Sequence, residues 1–89
     1  MTGSPLIIDA AGPGVLLTGK IDPYLIRWVS PSAAAGHLCV VQDGSGMEKW
    51  ASVANGANYV EADHLGPESV WMGLIVPTLS SGKLYIYTR

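Results

Sequence analysis

The chain has 89 residues, of which 48% are hydrophobic and only 13% are charged, and its net charge at pH 7 is −2. This length is that of a single domain, and a slightly acidic chain with five scattered basic residues argues against binding to nucleic acid. The single cysteine excludes an internal disulfide, and no apolar run approaches the roughly 20 residues that cross a membrane.

The low charge has two interpretations. Ordinary soluble domains have roughly 25% charged residues, so this surface is either covered by neutral Ser, Thr and Gly side chains or partly buried against other protein chains. A small domain also has a small core, which a partner can supplement, and we therefore expect a homo-oligomer. No positive residue precedes Lys20, unlike in a signal peptide, and with the lone thiol this predicts synthesis in a reducing cytoplasm.

Residues 1–20 are predicted to form an extended N-terminal arm with a possible edge strand. Glycine and proline are frequent here and separate two apolar patches. Such a segment folds poorly alone, so we expect it to order on a neighbouring subunit; the alternative is a frayed tail followed by an edge strand. The binding residues predicted in this arm are Leu6, Ile7, Ile8, Val15 and Leu16.

Residues 21–89 are predicted to form a single β-sandwich domain, which begins with a strand over residues 24–29. Tyr24, Ile26 and Trp28 occupy alternate positions of this strand and are expected to share one face. The central feature is a hairpin, with arms over residues 37–42 and 47–53. Asp-Gly-Ser-Gly separates the arms, and we expect Gly44 and Gly46 to adopt the positive φ of such turns.

Three further strands follow, over residues 59–63, 70–76 and 83–89, and we expect the second to end at Pro77. Turn residues recur at intervals of roughly 8–12 residues. The sequence therefore predicts an all-β fold, either a small antiparallel β-sandwich (jelly-roll-like) or a barrel, and we expect hairpins to join neighbouring strands.

Catalytic and metal-binding patterns are weak. His37 and Cys39 could form a metal site or a reactive pair, but such residues are far more often a histidine at a strand edge and a small cysteine that fills the core. Glu61, Asp63 and His64 have too few further carboxylates for a metal site and fit a solvated strand end. We therefore predict no enzymatic activity, cofactor or metal. The alternative of a hydrolase fragment predicts a buried histidine–carboxylate pair near a serine.

The aromatic residues are seven Trp and Tyr residues, with no Phe. Trp50 and Trp71 are expected in the core. Tyr85 and Tyr87 alternate with Leu84 and Ile86, so the two tyrosines cannot share the core face that the aliphatic residues occupy. Tyrosine suits interfaces because it is apolar with a polar tip. Tyr24, Tyr85 and Tyr87 complete the predicted binding residues, and such an aromatic stripe could also hold a sugar ring.

Most of the chain, from Leu25 to Tyr87, resembles small virion proteins of tailed bacteriophages. The resemblance lies in LIRWVSPSAAAGHLCVVQDGSGMEKWASVANGANYVEADHL and in the ending GLIVPTLSSGKLYIY. It implies a structural virion protein that binds and stabilises a phage capsid, that is, a head decoration or cement protein. The implied location is the capsid surface, the implied partners are the major capsid protein and copies of itself in a homotrimer, and no catalytic residues are implied. The alternatives are a phage tail or fibre component and a small carbohydrate-binding adhesive module.

Overall fold

The computed structural model describes residues 5–12, 14–66 and 70–89, which form two four-stranded antiparallel sheets packed against each other. The predicted all-β sandwich is confirmed. None of the described residues forms a helix that could span a membrane. The strands are β1 (Leu6–Ile8), β2 (Leu17–Ile21), β3 (Pro23–Ser30), β4 (Leu38–Gln42), β5 (Glu48–Val53), β6 (Tyr59–His64), β7 (Trp71–Leu79) and β8 (Lys83–Thr88).

The strand order shows how the chain is wound. One sheet has the order β1-β8-β3-β6 and the other β2-β7-β4-β5. The pairs β4·β5, β3·β6, β2·β7 and β1·β8 are nested, so the chain resembles one long antiparallel ribbon, rolled up with the β4–β5 turn at its tip. Two four-stranded sheets wound in this way form a jelly roll. The jelly-roll form of the predicted sandwich is the one observed.

Most connections cross from one sheet to the other, which differs from the expected series of hairpins. Only β4 and β5 are both consecutive in sequence and neighbours in one sheet. Even β2 and β3, which are separated by the single residue Asp22, lie in different sheets. Because packed sheets are only about 10 Å apart, a short link can cross between them. Turn residues therefore marked where strands end without showing which strands pair.

The core lies between the sheets and follows the predicted alternation. Ile26 and Trp28 of β3, like Leu84 and Ile86 of β8, are fully buried. Trp50 and Trp71 are 9% and 4% exposed, as expected for core residues. The second sheet contributes further buried side chains, namely Cys39, Val41, Leu74 and Val76.

The tip of the ribbon contains both predicted turn glycines, but for different reasons. Gly46 has a φ of +89°, as predicted. The prediction for Gly44 was wrong, because its φ is not positive. Its amide instead donates to the Met72 carbonyl at 2.9 Å, and a Cβ at position 44 would lie 2.5 Å from that oxygen. Gly44 is therefore needed for the close approach of the hairpin to β7.

The expectation that Pro77 ends its strand was wrong. β7 continues through Pro77 to Leu79. Val40 pairs with Thr78, and Gln42 pairs with Ile75. Two residues of β7 but only one residue of β4 therefore lie between these two pairs. This irregularity is a β-bulge, where a residue of the ladder is left unpaired. The proline, which has no N–H to donate, is accommodated there inside a central strand.

Candidate binding surfaces at the edges and outer face

The edges of β5 and β6 are joined by side-chain hydrogen bonds, and we call this edge of the sandwich the closed side. The Trp50 indole Nε1 donates to Asp63 Oδ2 at 2.7 Å. The Tyr59 hydroxyl donates to Glu61 Oε1 at 2.8 Å, and the Ser52 hydroxyl lies within hydrogen-bond distance of both. These bonds tie two strands that belong to different sheets.

The sequence had suggested only a solvated strand end at Glu61, Asp63 and His64. His64 is exposed, as expected, but Glu61 is half-buried and both carboxylates accept hydrogen bonds from the facing strand or from Tyr59. No group of three or more His, Cys, Asp or Glu side chains suited to a metal occurs in the described part of the chain. The acidic residues therefore have a structural role at this edge.

The opposite edge, between β1 and β2, is an apolar groove of about 350 Å³, which we call the open side. Leu6, Ile7, Ile8 and Leu16, four of the five binding residues predicted in the N-terminal segment, line it together with Asp9, Ala10, Leu17 and Leu74. Leu16 and Ile7 are 47% and 57% exposed. The fifth predicted residue, Val15, is 50% exposed and borders a neighbouring depression beside Met72.

The described residues of the predicted arm belong to this chain's own sheets. Leu6 pairs with Ile86 in β8, and Leu17 pairs with Leu74 in β7. The predicted segment therefore contains an edge strand of each sheet, β1 in one and β2 in the other. Ile8 is only 9% exposed and forms part of the core, so this predicted binding residue presents little surface to a partner. Residues 1–4 and 13 lie outside the described residues.

The three predicted binding tyrosines lie together, half-buried, and with two arginines they form what we call the tyrosine face. The rings of Tyr24 and Tyr87 are 6.2 Å apart. The Arg27 guanidinium lies 5.9 Å from the centre of the Tyr85 ring, and the Arg89 guanidinium lies 5.8 Å from that of Tyr24. Such distances are typical of cation–π contacts.

Tyr24 reaches the tyrosine face because of a bulge. Pro23 pairs with Thr88 and Leu25 with Tyr87, so Tyr24 is an extra residue in β3. It is half-buried beside Tyr87, whereas Ile26 and Trp28 are fully buried. The predicted shared face of Tyr24, Ile26 and Trp28 was therefore wrong, because alternation is interrupted at a bulge.

The open side and the tyrosine face meet at Ile7. In the first sheet, Ile7 pairs with Tyr85, which in turn pairs with Arg27. Directly paired side chains lie on the same face of a sheet. The exposed Ile7 therefore extends the row of Tyr85 and Arg27 to the edge at β1, and the two predicted groups of binding residues form one continuous surface.

The histidine and cysteine near the hairpin do not form the reactive pair considered above. His37 Nδ1 lies 2.8 Å from the Ser81 hydroxyl, which lies 2.6 Å from that of Ser30. No carboxylate bonds to His37 among the described residues, so the arrangement expected of a hydrolase fragment is not found there. Cys39 is buried, and burial raises the pKa of its thiol to about 12, so the thiol stays protonated and unreactive.

Sequence reasoning missed the closed side, although a signal was present. Trp50 and Ser52 alternate on one predicted strand, as do Tyr59, Glu61 and Asp63 on the next. Alternation alone places each set on one face. That the two faces meet depends on β5 and β6 lying at matching edges of different sheets.

Compared with known proteins, the chain matches no family model, no curated protein and no solved structure.

Proposed function

We propose that this chain is a structural, non-enzymatic virion protein that binds and stabilises a phage capsid as a decoration protein. The open side is the observation that supports this proposal most. It presents an apolar groove whose rim residues Ile7 and Leu16 are about half exposed. Contiguous exposed apolar surface of this kind is typical of protein–protein interaction sites.

The partners in this proposal are the major capsid protein and further copies of the chain, in a homotrimer on the capsid surface. Only 12 of the 89 residues carry charge, so a neutral, partly apolar surface is available for such contacts. On a symmetric shell, many weak contacts add to firm attachment because each further contact becomes intramolecular. Jelly rolls are found in viral capsid and lectin domains, which supports the proposal by analogy of fold alone.

The test is cosedimentation of the purified chain with empty shells of the major capsid protein encoded by the same genome. We expect the wild-type chain to sediment with the shells and Leu16→Lys to bind at least about ten-fold more weakly, because it places a charge in the groove. Val53→Lys is the matched control, since Val53 is 58% exposed but lies on β5, away from the groove. Failure of the wild-type chain to bind the shells would contradict the proposal.

The tyrosine face supports a second candidate, a small carbohydrate-binding module. Tyr24 and Tyr87 offer neighbouring rings, and Arg27 and Arg89 supply hydrogen-bond donors beside them. Sugar rings pack their apolar faces on such aromatic side chains while donors fix their hydroxyls. Binding to a glycan array that is lost in Tyr87→Ala, without binding to shells, would favour this candidate over capsid decoration.

A further inference from the structure

The four edge strands differ in how they are protected against pairing with another chain. Sheet edges are usually blunted by charges, bulges or short length, because their free backbone groups can bind a further strand. β5 carries Glu48 and Lys49, and β6 carries the carboxylates of the closed side. β2 carries Lys20 and a bulge between Leu17 and Lys20.

β1 carries no charge and no bulge, and its length of three residues is its one protection of this kind. It consists of Leu6-Ile7-Ile8, pairs with β8 in unbroken register, and is the last strand of its sheet on that side. One row of its backbone N–H and C=O groups faces away from β8, as in any edge strand. Ile7, at its centre, is 57% exposed. This edge therefore combines an exposed apolar side chain with backbone groups that can pair with another strand.

Opposite charges flank this edge at its two ends. Asp9 follows β1 directly and lines the groove of the open side. At the other end, Lys20 lines a depression together with Leu6 and the Asp22–Arg89 ion pair. Asp9 and Lys20 take part in no ion pair within residues 5–12, 14–66 and 70–89. The edge is thus apolar at its centre, with the Asp9 carboxylate at one end, where Lys83 of β8 lines the adjoining depression, and the Lys20 ammonium at the other end.

We propose that two copies of the chain pair antiparallel through β1, about a two-fold axis at Ile7. This inference rests on the self-association in the proposed function, but it gives that association two-fold symmetry in place of the homotrimer, because a two-fold contact joins two copies and does not close a ring of three. The pairing places Ile7 against Ile7 of the second copy and Leu6 against Ile8 of the second copy. It also brings Asp9 to the end of the strand where Lys20 of the second copy lies. The contact of Leu6 with Ile8 and that of Asp9 with Lys20 are each formed twice, as two-fold symmetry requires.

The charges select this arrangement over a parallel one. In a parallel pairing, Asp9 would lie beside Asp9 of the second copy, and like charges repel. In the antiparallel pairing each end joins opposite charges. The paired edge also makes one continuous sheet, in which the row from Arg27 through Tyr85 to Ile7 continues into the same row of the second copy. The tyrosine faces of the two copies thereby become one surface.

The first test is sedimentation velocity over a range of concentrations. The wild-type chain is expected to reach twice its mass of 9.3 kDa as concentration rises. Ile7→Lys is expected to stay at 9.3 kDa, because it places two like charges at the axis, while its circular dichroism stays that of the wild type. Val53→Lys, at a site of equal exposure on β5, is expected to dimerise like the wild type.

The second test reverses the charges. Asp9→Lys and Lys20→Asp should each weaken the dimer about five- to ten-fold, because each removes an ion pair at both ends. The double variant should restore wild-type affinity, which only a pairing of Asp9 with Lys20 of the second copy predicts. A monomer at all concentrations, an oligomer insensitive to Ile7→Lys, or a double variant without rescue would each overturn the proposal. Wild-type chain that binds shells but stays monomeric would overturn this pairing and leave the proposed function standing.

Discussion

The two edges of the sandwich are both formed by edge strands from different sheets, but they differ in the side chains that lie between those strands. On the closed side, β5 and β6 are joined by hydrogen bonds of Trp50 to Asp63 and of Tyr59 to Glu61. On the open side, β1 and β2 border an apolar groove of about 350 Å³. The closed side satisfies its polar groups within the chain, whereas the open side leaves Ile7 and Leu16 about half exposed among the described residues.

The closed side is expected to stabilise the domain, and the open side is the surface that we propose for binding. Side-chain bonds across the closed side fix β5 against β6 and rigidify the edge where no partner is proposed. The open side keeps Ile7 and Leu16 about half exposed at some cost in solubility. Both the proposed function and the proposed β1 pairing use this exposed apolar surface for binding.

The largest expected effect is on the free energy of unfolding, and it compares a core residue of the open side with a surface residue beside it. Ile8 is 9% exposed and Ile7 is 57% exposed, although they are adjacent. Ile8→Ala should lower the free energy of unfolding by about 2–4 kcal/mol, because it removes buried methyl groups and leaves a cavity. Ile7→Ala should lower it by less than about 1 kcal/mol. Urea unfolding followed by tryptophan fluorescence measures both changes in the free energy of unfolding. Equal changes would mean that β1 does not pack against the core as described.

A smaller effect is expected on the closed side. Tyr59→Phe removes a hydroxyl that bonds Glu61 and Ser52, but it keeps the ring, which packs 5.3 Å from Trp28. The expected loss is about 1 kcal/mol, the net value of a hydrogen bond in a protein. Tyr85→Phe is the matched control and should change stability by less than about 0.5 kcal/mol. If the two variants are equally stable in urea, the closed side contributes nothing to stability.

The smallest effect concerns pH and the turn that leads into β5. Hydrogen bonds from Ser45, with further contributions from the Met47 amide and Lys49, hold the pKa of Asp43 below its ordinary value of 3.8. A lowered folded-state pKa contributes stability above the unfolded-state pKa, and that stability is lost as the pH falls through the folded-state pKa. The stability difference between the wild type and Asp43→Asn should therefore be constant from neutral pH to about pH 5 and shrink below about pH 4. Urea midpoints of both proteins at each pH test this, and a pH-independent difference would contradict it.

Much of the fold and part of the candidate surface could be predicted from local pattern. The alternation of Leu84 and Ile86 with Tyr85 and Tyr87 gave the correct inner face of β8. The apolar N-terminal patches gave Leu6, Ile7 and Leu16 as binding candidates. That these side chains meet Leu74 in one groove could not be predicted, because Leu74 is brought there by the pairing of β2 with β7.

Local sequence pattern was sufficient to predict the six strands within residues 24–89, the hairpin at the tip and which side chains on most of these strands face inward. These depend on period-two alternation and turn residues, which act over a few neighbouring positions. Three features could not be read from local pattern: six links between consecutive strands of the described residues cross between sheets, Gly44 touches β7, and one edge is closed while the other is open. Those features depend on contacts between residues far apart in the chain, where the burial of both sheets, rather than local preference, selects the pairing.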